Sequence, residues 1–414
     1  MNTTLHGIKV IELSTFIAVP ACARFFADHG ADVIKIEARS GDAVRWNGIS
    51  EGRIDNPYEN TTFDLENANK RGIVLNLKDP RGLDILYRLL EDSDVFLTNW
   101  RPQALKKLGL NYEALHQRFP SLVYGTLTGY GESGPDSDLP GYDFTAYWAR
   151  GGIMDSLRQK NEWPVNLIPG MGDHQAGLHL AAGVMAALLS AKINGVGQKV
   201  SVNLLHTSIF TQAIMIQAAQ YTDLGQSYPI SRRTANNPFN CAYRTRDGRF
   251  MQISMPPFDQ FYPIFMPLIG RADLLGNVRY TMESLTKNKL HAEFIDILTE
   301  AFEQKTAEEW AEIFTKADIP HSIAKNWEEV LEDEQAWSSN VYYKMPYSTG
   351  STRTLVRQPI FIGDDLPDYR PGPLLGEHSE EILRSLCLGD EELMELHEAG
   401  VYNTWEDLKG EHNG

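Results

Sequence analysis

Short apolar runs alternate with longer amphipathic segments through the first half of the chain. Five runs rich in Val, Ile and Leu have the length of buried strands, and turn residues flank them. The predicted strands are residues 9–13, 31–37, 72–77, 94–98 and 122–127. Between them apolar residues recur at helical spacing, which predicts helices at 20–29 and 81–90. This alternation predicts an α/β fold, with helices on both faces of a parallel sheet.

The second half of the chain changes character. A predicted strand at residues 200–204 is followed by a long predicted helix at 206–219. Farther on, the pattern predicts a hairpin over residues 243–255, with its turn at Asp247-Gly248. Helices are predicted at about 258–269, 289–302 and 307–317. One hairpin followed by several helices is typical of an α+β domain.

These patterns predict three segments. Residues 1–222 form the first part of a large α/β domain, residues 226–326 form a smaller α+β domain, and residues 327–414 return to the large domain. Residues 38–71 are polar and lack periodicity, so we expect a long irregular loop there, of the kind that is usually functional.

The composition restricts the class of protein. A formal net charge of −17 over 414 residues excludes a broad surface for nucleic acids. The three cysteines, Cys22, Cys241 and Cys387, form no CxxC pair, and residues 1–6 lack a signal-peptide pattern, so we expect a reduced, cytoplasmic protein. The most apolar run, residues 178–189, is shorter than the about 20 residues that cross a bilayer and predicts a buried helix, not a membrane anchor.

A single carboxylate, Asp173, lies between glycines in the stretch PGMGDHQAG, directly before this apolar helix. A helix N-terminus carries roughly +0.5 of an elementary charge and unpaired N–H donors. We therefore expect Asp173 to stay ionised at neutral pH, to be accessible, and to be able to act as a nucleophile. The alternative is a simple N-cap, a position where Asp is common.

Other familiar sequence motifs are incomplete or absent in this chain. Residues 129–134 read GxGxxG after a strand, but Pro135 and more loop residues follow where a dinucleotide site needs a helix, which argues against NAD. His174 and His179 are five residues apart and share no helix face, so we expect no metal site. The chain also lacks HExxH and GxSxG.

Basic residues cluster near the ends of the predicted strands. In an acidic chain, this edge of a parallel sheet is where a polyphosphate would bind, and Trp100 offers a plane on which a purine could stack. Each residue on its own could equally be an ordinary solvated loop charge. The basic residues concerned are Arg39, Arg45, Lys70, Arg71, Lys78, Arg101, Lys106 and Lys107.

Taken in order, these motifs resemble the class III CoA-transferases, the family of formyl-CoA and carnitine CoA-transferases. The resemblance covers nearly the whole chain. It rests on GIKVIE at 7–12, ADHGADVIKIE at 27–37, NKR at 69–71, LNLK at 75–78, NWRP at 99–102, GYD at 141–143, GD at 172–173, GVGQ at 195–198 and PLLGEH at 373–378.

The resemblance implies a fold, a nucleophile and a set of contacts with coenzyme A. The implied fold is a large Rossmann-like domain with a smaller domain, in a homodimer whose two chains interlock. Asp173 matches the family's nucleophile. CoA thioesters are the substrates, and neither a tightly bound cofactor nor a metal is implied. The residues that match CoA contacts are Ala18, Arg39, Leu75, Asn76, Lys78, Asn99, Trp100, Arg101, Lys107, Gly129 and Tyr130.

Departures from the family pattern narrow the range of expected substrates. Formyl-CoA transferases have a glycine-run loop where this chain has residues 234–240, without such a run, which disfavours oxalate and formate. Acyl-CoA racemases need a His where this chain has Tyr142, although His174 could substitute. Residues 10–18 and 144–152 are similar to clostridial 2-hydroxyacid CoA-transferases of amino-acid fermentation, which act on acids such as phenyllactate and 2-hydroxyisocaproate.

We therefore expect a CoA-transferase that moves CoA from an acyl- or enoyl-CoA to a 2-hydroxy acid, through a mixed anhydride and a thioester on Asp173. Aromatic residues suit an apolar acyl group, and the candidates for this pocket are Phe16, Trp46, Tyr142 and Trp148. Alternatives are another acid (carnitine, a bile acid or a dicarboxylate), a racemase, an NAD-dependent oxidoreductase, or a CoA-binding protein without catalysis.

Overall fold

The computed structural model describes residues 4–53, 55–221, 228–229, 231–364 and 366–410. The chain forms two compact units. The first is drawn from residues 1–153, 167–213 and 337–414, and the second from residues 154–166 and 214–336. The predicted junction at residues 222–226 lies outside the described residues. Residues 154–166 belong to the second unit although they precede the apolar helix in the chain. No local pattern in the sequence indicates this assignment.

The described residues contain strands and helices with the following bounds. The strands are β1 (Lys9–Leu13), β2 (Asp32–Glu37), β3 (Arg71–Leu75), β4 (Val95–Thr98), β5 (Val123–Thr128), β6 (Lys199–Asn203), β7 (Ala242–Arg244), β8 (Phe250–Ile253), β9 (His321–Ile323), β10 (Tyr342–Pro346), β11 (Thr352–Val356) and β12 (Tyr402–Asn403). The helices are α1 (Ala18–Asp28), α2 (Thr61–Asn67), α3 (Pro80–Glu91), α4 (Pro102–Lys107), α5 (Tyr112–Arg118), α6 (Ile153–Ser156), α7 (Met171–Asn194), α8 (Leu204–Thr211), α9 (Ala213–Ala218), α10 (Phe258–Leu268), α11 (Met282–Lys287), α12 (His291–Phe302), α13 (Ala307–Lys316), α14 (Trp327–Leu331), α15 (Glu334–Ser338), α16 (Ser379–Ser385), α17 (Asp390–Glu398) and α18 (Trp405–Leu408).

The first unit is organised around a seven-stranded sheet with the order β12-β3-β2-β1-β4-β5-β6. The six long strands run parallel, while the short β12 pairs antiparallel with β3. The prediction of an α/β fold with a large parallel sheet is therefore confirmed. Because all six parallel strands end at one edge, the loops that follow them converge there.

Alternation along β1 distributes its side chains between two helix layers. Val10 packs into the core that contains α1 and α7, and Ile11 packs into the opposite core, which contains α3, α16 and α17. Full burial of an aliphatic side chain of this kind contributes about 1.5–3 kcal/mol. Glu12 is two residues after Val10 and therefore points to the same side of the sheet. This places a charged side chain in the α1 layer, beside its register partner Lys35 on β2.

Helix α7 is the central helix of the first unit, with 24 residues from Met171 to Asn194, longer than the predicted run. Its length and mean hydropathy of 1.5 would allow it to cross a membrane. It packs on α1, β5 and β6, as a core helix does. Its small residues permit this packing, since a Cβ added to Gly177 would lie 2.4 Å from the carbonyl oxygen of Ala18.

Two predictions of local structure are wrong. Residues 38–71 are not one irregular loop, because Asn60 caps α2 by accepting the N–H of Phe63, and Asp42 caps a 3₁₀ turn over Ala43–Trp46. These helices are too short to show periodicity in the sequence. The predicted helix 206–219 is interrupted at Gln212, which separates α8 from α9.

The second unit has a three-stranded antiparallel sheet of order β7-β8-β9, with the helices α10 to α13. Strands β7 and β8 form the predicted hairpin, and Gly248 has a φ of +82° in its turn. An aromatic cluster that includes Tyr243, Phe294 and Trp310 fills the core.

Candidate active site around Asp173

Asp173 is the third residue of α7 and not its N-cap. Gly170 occupies the N-cap with a φ of +84°, a left-handed conformation that glycine adopts without strain. Gly172 is equally constrained, because an added Cβ would lie 2.3 Å from Cγ of Tyr147 and 2.4 Å from Oδ1 of Asp143. The glycines around Asp173 therefore allow the helix to start tightly against its neighbours, and the simple N-cap interpretation is wrong.

The capping carboxylate comes from elsewhere in the chain. Asp143 opens a π-helical turn, Asp143–Ala149, and its Oδ1 accepts the N–H of Gly172 at 3.0 Å. The turn is fixed by the N–H of Tyr142, which donates to Oγ1 of Thr145 at 3.0 Å. Asp143 is 4% exposed, and no partner is found for its Oδ2 among the described residues.

Asp143 changes the electrostatics of the helix start. It accepts the N–H of Gly172 and places a second carboxyl group near Asp173. Burial, with a further contribution from Asp143, raises the pKa of Asp173 to about 7. The expectation that Asp173 stays ionised at neutral pH is therefore wrong: near pH 7 only about half of it carries charge.

Sequence reasoning missed Asp143 and underrated His174. The motif GYD at 141–143 was informative only for Tyr142, since nothing local shows that Asp143 reaches a helix N-terminus about thirty residues later. His174 forms a hydrogen bond with Glu66, with 2.7 Å between Nε2 and Oε1. Glu66 lies in the region expected to be an irregular loop, so this pairing had no signal in the sequence.

Asp173 lines a cavity of 560 Å³ at the carboxyl edge of the sheet. Two predicted pocket residues, Phe16 and Tyr142, line the same cavity, and their rings meet edge to face with 5.7 Å between centroids. Trp46 instead lines a separate cavity of 390 Å³, and Trp148 is buried in the α1–α7 core. The structure therefore brings two of the four predicted pocket residues to Asp173.

Five residues predicted to bind coenzyme A line the Asp173 cavity as well. They are Ala18, Asn99, Trp100, Arg101 and Gly129. Asn99 also shapes the cavity wall, because its side-chain amide donates to the carbonyl of Thr15 at 2.7 Å and accepts the N–H of Thr15 at 3.1 Å. The loop after β4 is thus tied to the loop after β1.

The remaining predicted CoA contacts lie elsewhere on the first unit. Arg39 follows β2 and Asn76 and Lys78 follow β3, all three exposed at the carboxyl edge. Lys107 is exposed at the end of α4. The side chain of Leu75 is buried, and Tyr130, half-buried, is the second residue after β5.

A buried ionic network holds Phe16 at the cavity. Phe16 has a φ of +64°, a conformation that costs a bulky residue of the order of 1–3 kcal/mol. Its N–H donates to Oδ1 of Asp42, whose Oδ2 lies 3.1 Å from Nζ of Lys35. Lys35 in turn pairs with Glu12, as does Lys70. Burial opposes the charge on Glu12, but the two lysines outweigh it and lower its pKa to about 2.

No group of three or more His, Cys, Asp or Glu side chains in the described part of the chain is arranged to hold a metal ion. A carboxyl group, an aromatic wall and exposed cations at one sheet edge are elements that suit the binding of a phosphorylated thioester.

Comparison with known proteins identifies the class. The chain belongs to the CoA-transferase family III, whose family model matches residues 5–379. The resemblance seen in the motifs is thus confirmed, and the protein is a CoA-transferase that acts on CoA thioesters and carboxylic acids.

The names of two relatives specify a particular substrate. The chain is 50% identical over 397 residues to the cinnamoyl-CoA:phenyllactate CoA-transferase of Clostridium sporogenes, an alignment that covers 95% of this chain and 96% of the relative. It is 39% identical over 398 residues to the (R)-2-hydroxy-4-methylpentanoate CoA-transferase of Clostridioides difficile, with 96% and 99% covered.

The fold also matches solved structures. A CAIB/BAIF family protein from Brucella suis aligns with a TM-score of 0.77 at 27% sequence identity, covering 93% of this chain and all of that chain. A protein from Mycobacterium tuberculosis, in an orthorhombic crystal form, aligns with a TM-score of 0.78 at 27% identity, covering 91% and 98%.

Proposed function

We propose that the protein transfers CoA between an acyl- or enoyl-CoA and a 2-hydroxy carboxylic acid with an apolar side chain, and that Asp173 is the nucleophile. One observation carries the proposal: the Asp173 carboxylate shares a cavity with the aromatic pair Phe16 and Tyr142. The names of the two clostridial relatives, which specify phenyllactate and (R)-2-hydroxy-4-methylpentanoate, support the same class of acid.

In the first half of the reaction, ionised Asp173 attacks the thioester carbonyl of the donor. The C–S bond breaks, and a mixed aspartyl–acyl anhydride and CoA thiolate form. The thiolate then attacks the aspartyl carbonyl, which releases the donor acid as its carboxylate and leaves an aspartyl-CoA thioester. Both steps conserve charge, so no proton has to be supplied once Asp173 is ionised.

In the second half, the carboxylate of the acceptor attacks the aspartyl-CoA thioester. A second mixed anhydride forms, the thiolate attacks its acceptor carbonyl, and Asp173 is regenerated as a carboxylate. Gly129 and Gly141 line the cavity and approach so closely that a Cβ on Gly129 would lie 2.6 Å from Cα of Gly141. We assign oxyanion stabilisation to backbone N–H groups of these loops, a role worth about 3 kcal/mol per donor.

Coenzyme A would bind along the carboxyl edge of the sheet. Trp100 offers a ring for the adenine, and the exposed cations Arg39, Lys78, Arg101 and Lys107 suit the phosphates. Water must be kept from the anhydride and the thioester, since both hydrolyse. The aromatic pair at the cavity wall would contribute to that exclusion.

We infer that the protein acts as an interlocked homodimer, with the second unit as its smaller α+β domain. Apolar residues on the described surface of α7 and α8 support an interface. Leu189 and Ile193 on α7, Val196 just after it and Phe210 on α8 are each at least half exposed in the isolated chain, as residues of an interface would be.

The substrate class is tested by measuring kcat/KM for a panel of acids with one acyl-CoA donor. The panel contains phenyllactate, 2-hydroxyisocaproate, carnitine, oxalate and formate. An apolar pocket gains about 0.8 kcal/mol per buried methylene, close to fourfold in specificity, so the six-carbon acid should exceed the two-carbon acid by more than about a hundredfold. If carnitine or oxalate leads, the substrate class is wrong although the family stands.

A further inference from the structure

We propose that His174, held by Glu66, is a positively charged positioning residue that increases the ionised fraction of the neighbouring Asp173 for attack. The inference rests on the proposed function, in which Asp173 is the nucleophile. It assigns a task to two residues that the reaction scheme above does not use.

A hydrogen bond orients the imidazole of His174, the residue that follows Asp173 in α7. Nε2 of His174 lies 2.7 Å from Oε1 of Glu66, whose side chain on α2 is 2% exposed. On its other side the ring rests against Gly170, where an added Cβ would lie 3.2 Å from Cε1 of His174. Glu66 and Gly170 therefore define the position of the ring, although the His174 side chain is 43% exposed.

The surrounding charges favour the imidazolium form. Three carboxyl groups act on His174: Glu66 on α2, Asp173 on its own helix and Asp143 on the π-helical turn. Burial opposes the charge, but the hydrogen bond to Glu66 and these carboxylates outweigh burial and raise the pKa of His174. Without a nearby cation, three partly buried carboxylates would repel one another.

Lys70, which interacts electrostatically with Glu66, is paired with other residues. Lys70 influences Glu66 but donates its hydrogen bonds to Oε2 of Glu12 at 2.7 Å, to Oδ1 of Asn67 and to the carbonyl of Pro20. Glu12 and Asp42 carry two negative charges, and Lys35 and Lys70 balance them. His174 interacts favourably with all three carboxyl groups, Glu66, Asp173 and Asp143.

The consequence for chemistry follows from the attack step. Only the ionised carboxylate of Asp173 is a nucleophile, and His174 opposes the burial and the Asp143 charge that favour its protonated form. Replacing His174 by a neutral side chain should raise the pKa of Asp173 and thereby remove nucleophile at low pH, while at high pH the nucleophile is present in either case.

The first experiment compares pH profiles of kcat/KM for the acyl-CoA donor in wild type, H174Q and H179Q. His179 is an exposed residue on the same helix, so His179→Gln is a matched control. For H174Q we expect the acidic limb to move up by about one pH unit, with about tenfold less activity at pH 6 and less than about threefold loss at pH 9. H179Q should follow the wild type. An equal loss for H174Q at all pH values would show a merely structural role and overturn the inference.

The second experiment needs no activity. In protein labelled with ¹³C-histidine, the His174 resonance is identified by its absence in H174Q and titrated in wild type and in E66Q. We expect wild-type His174 to titrate above the ordinary histidine value of about 6.5, and its titration to move to lower pH in Glu66→Gln. Titration at or below about 6.5 in the wild type would overturn the inference. If the wild type is inactive with every acid in the panel, the proposed substrates are refuted. The titration still tests whether His174 is positively charged, because it needs no activity.

Discussion

The Asp143→Asn variant tests the electrostatic coupling between the two carboxyl groups at the start of α7. Asparagine retains an oxygen that can accept the N–H of Gly172, so the helix cap is preserved while the negative charge is removed. Burial and Asp143 together raise the pKa of Asp173 from 3.8 to about 7. That rise corresponds to about 4 kcal/mol, at 1.36 kcal/mol per pH unit.

Burial is the larger cause and Asp143 the next. A neighbouring like charge shifts a pKa by about one unit or more, and we take about one unit for the prediction. In D143N the pKa of Asp173 should fall to about 6. At pH 6 the ionised fraction of Asp173 then increases from about one tenth to about one half, which predicts about a fivefold gain in kcat/KM for the acyl-CoA donor. At pH 9 Asp173 is ionised in both proteins, and the gain should vanish.

The assay is the pH profile of kcat/KM, with Asp84→Asn as a control because Asp84 is an exposed carboxylate on α3. The direction of the shift is diagnostic, since D143N should move the acidic limb down whereas H174Q should move it up. An acidic limb that stays in place in D143N, with an intact fold by circular dichroism, would refute the coupling of these carboxyl groups.

Three further predictions follow from the site. Because the pKa of Asp173 is raised in the folded state, that state binds more protons than the unfolded state between about pH 4 and pH 7, and wild-type stability falls as the pH rises through this range. Asp173→Asn should therefore have an unfolding temperature a few degrees above that of the wild type at pH 8, and no gain at pH 4. Calorimetry at both pH values measures the two unfolding temperatures. Lys78→Gln and Arg39→Gln should raise KM for acyl-CoA more than they lower kcat, because phosphate binding is shared by ground and transition states; a loss in kcat alone would assign these residues to the chemistry. Light scattering should show a dimer of the 46.6 kDa chain at all concentrations that support activity, and an active monomer would contradict the interlocked assembly.

The sequence predicted the sheet well because its strands carry strong local signals. Buried parallel strands are continuous apolar runs, and β1 begins and ends at the predicted residues. It predicted α2 poorly because the signal there is a single cap, Asn60, at the start of seven residues. The interruption at Gln212 could not be predicted, because the residues of α8 and α9 form one continuous apolar pattern.

The sequence indicated Asp173 as the candidate nucleophile but did not indicate the charge of its carboxyl group. Asp173 could be found because glycines surround it before an apolar helix. Its ionisation depends on Asp143, Glu66 and burial, which are long-range properties that no local motif encodes. Trp46 and Trp148 were proposed for the pocket by residue type, but a tryptophan fits a core as readily as a cavity.

The most direct test of the central claim is to find the covalent intermediate. Wild-type protein is mixed with acyl-CoA without an acceptor acid, quenched in acid, and measured by intact mass and peptide mapping. We predict an adduct with the mass of CoA less one water on the peptide that contains Asp173, lost on adding 2-hydroxyisocaproate and absent in Asp173→Asn. An active enzyme without that adduct, or with it on another residue, would contradict the assignment of Asp173 as the nucleophile.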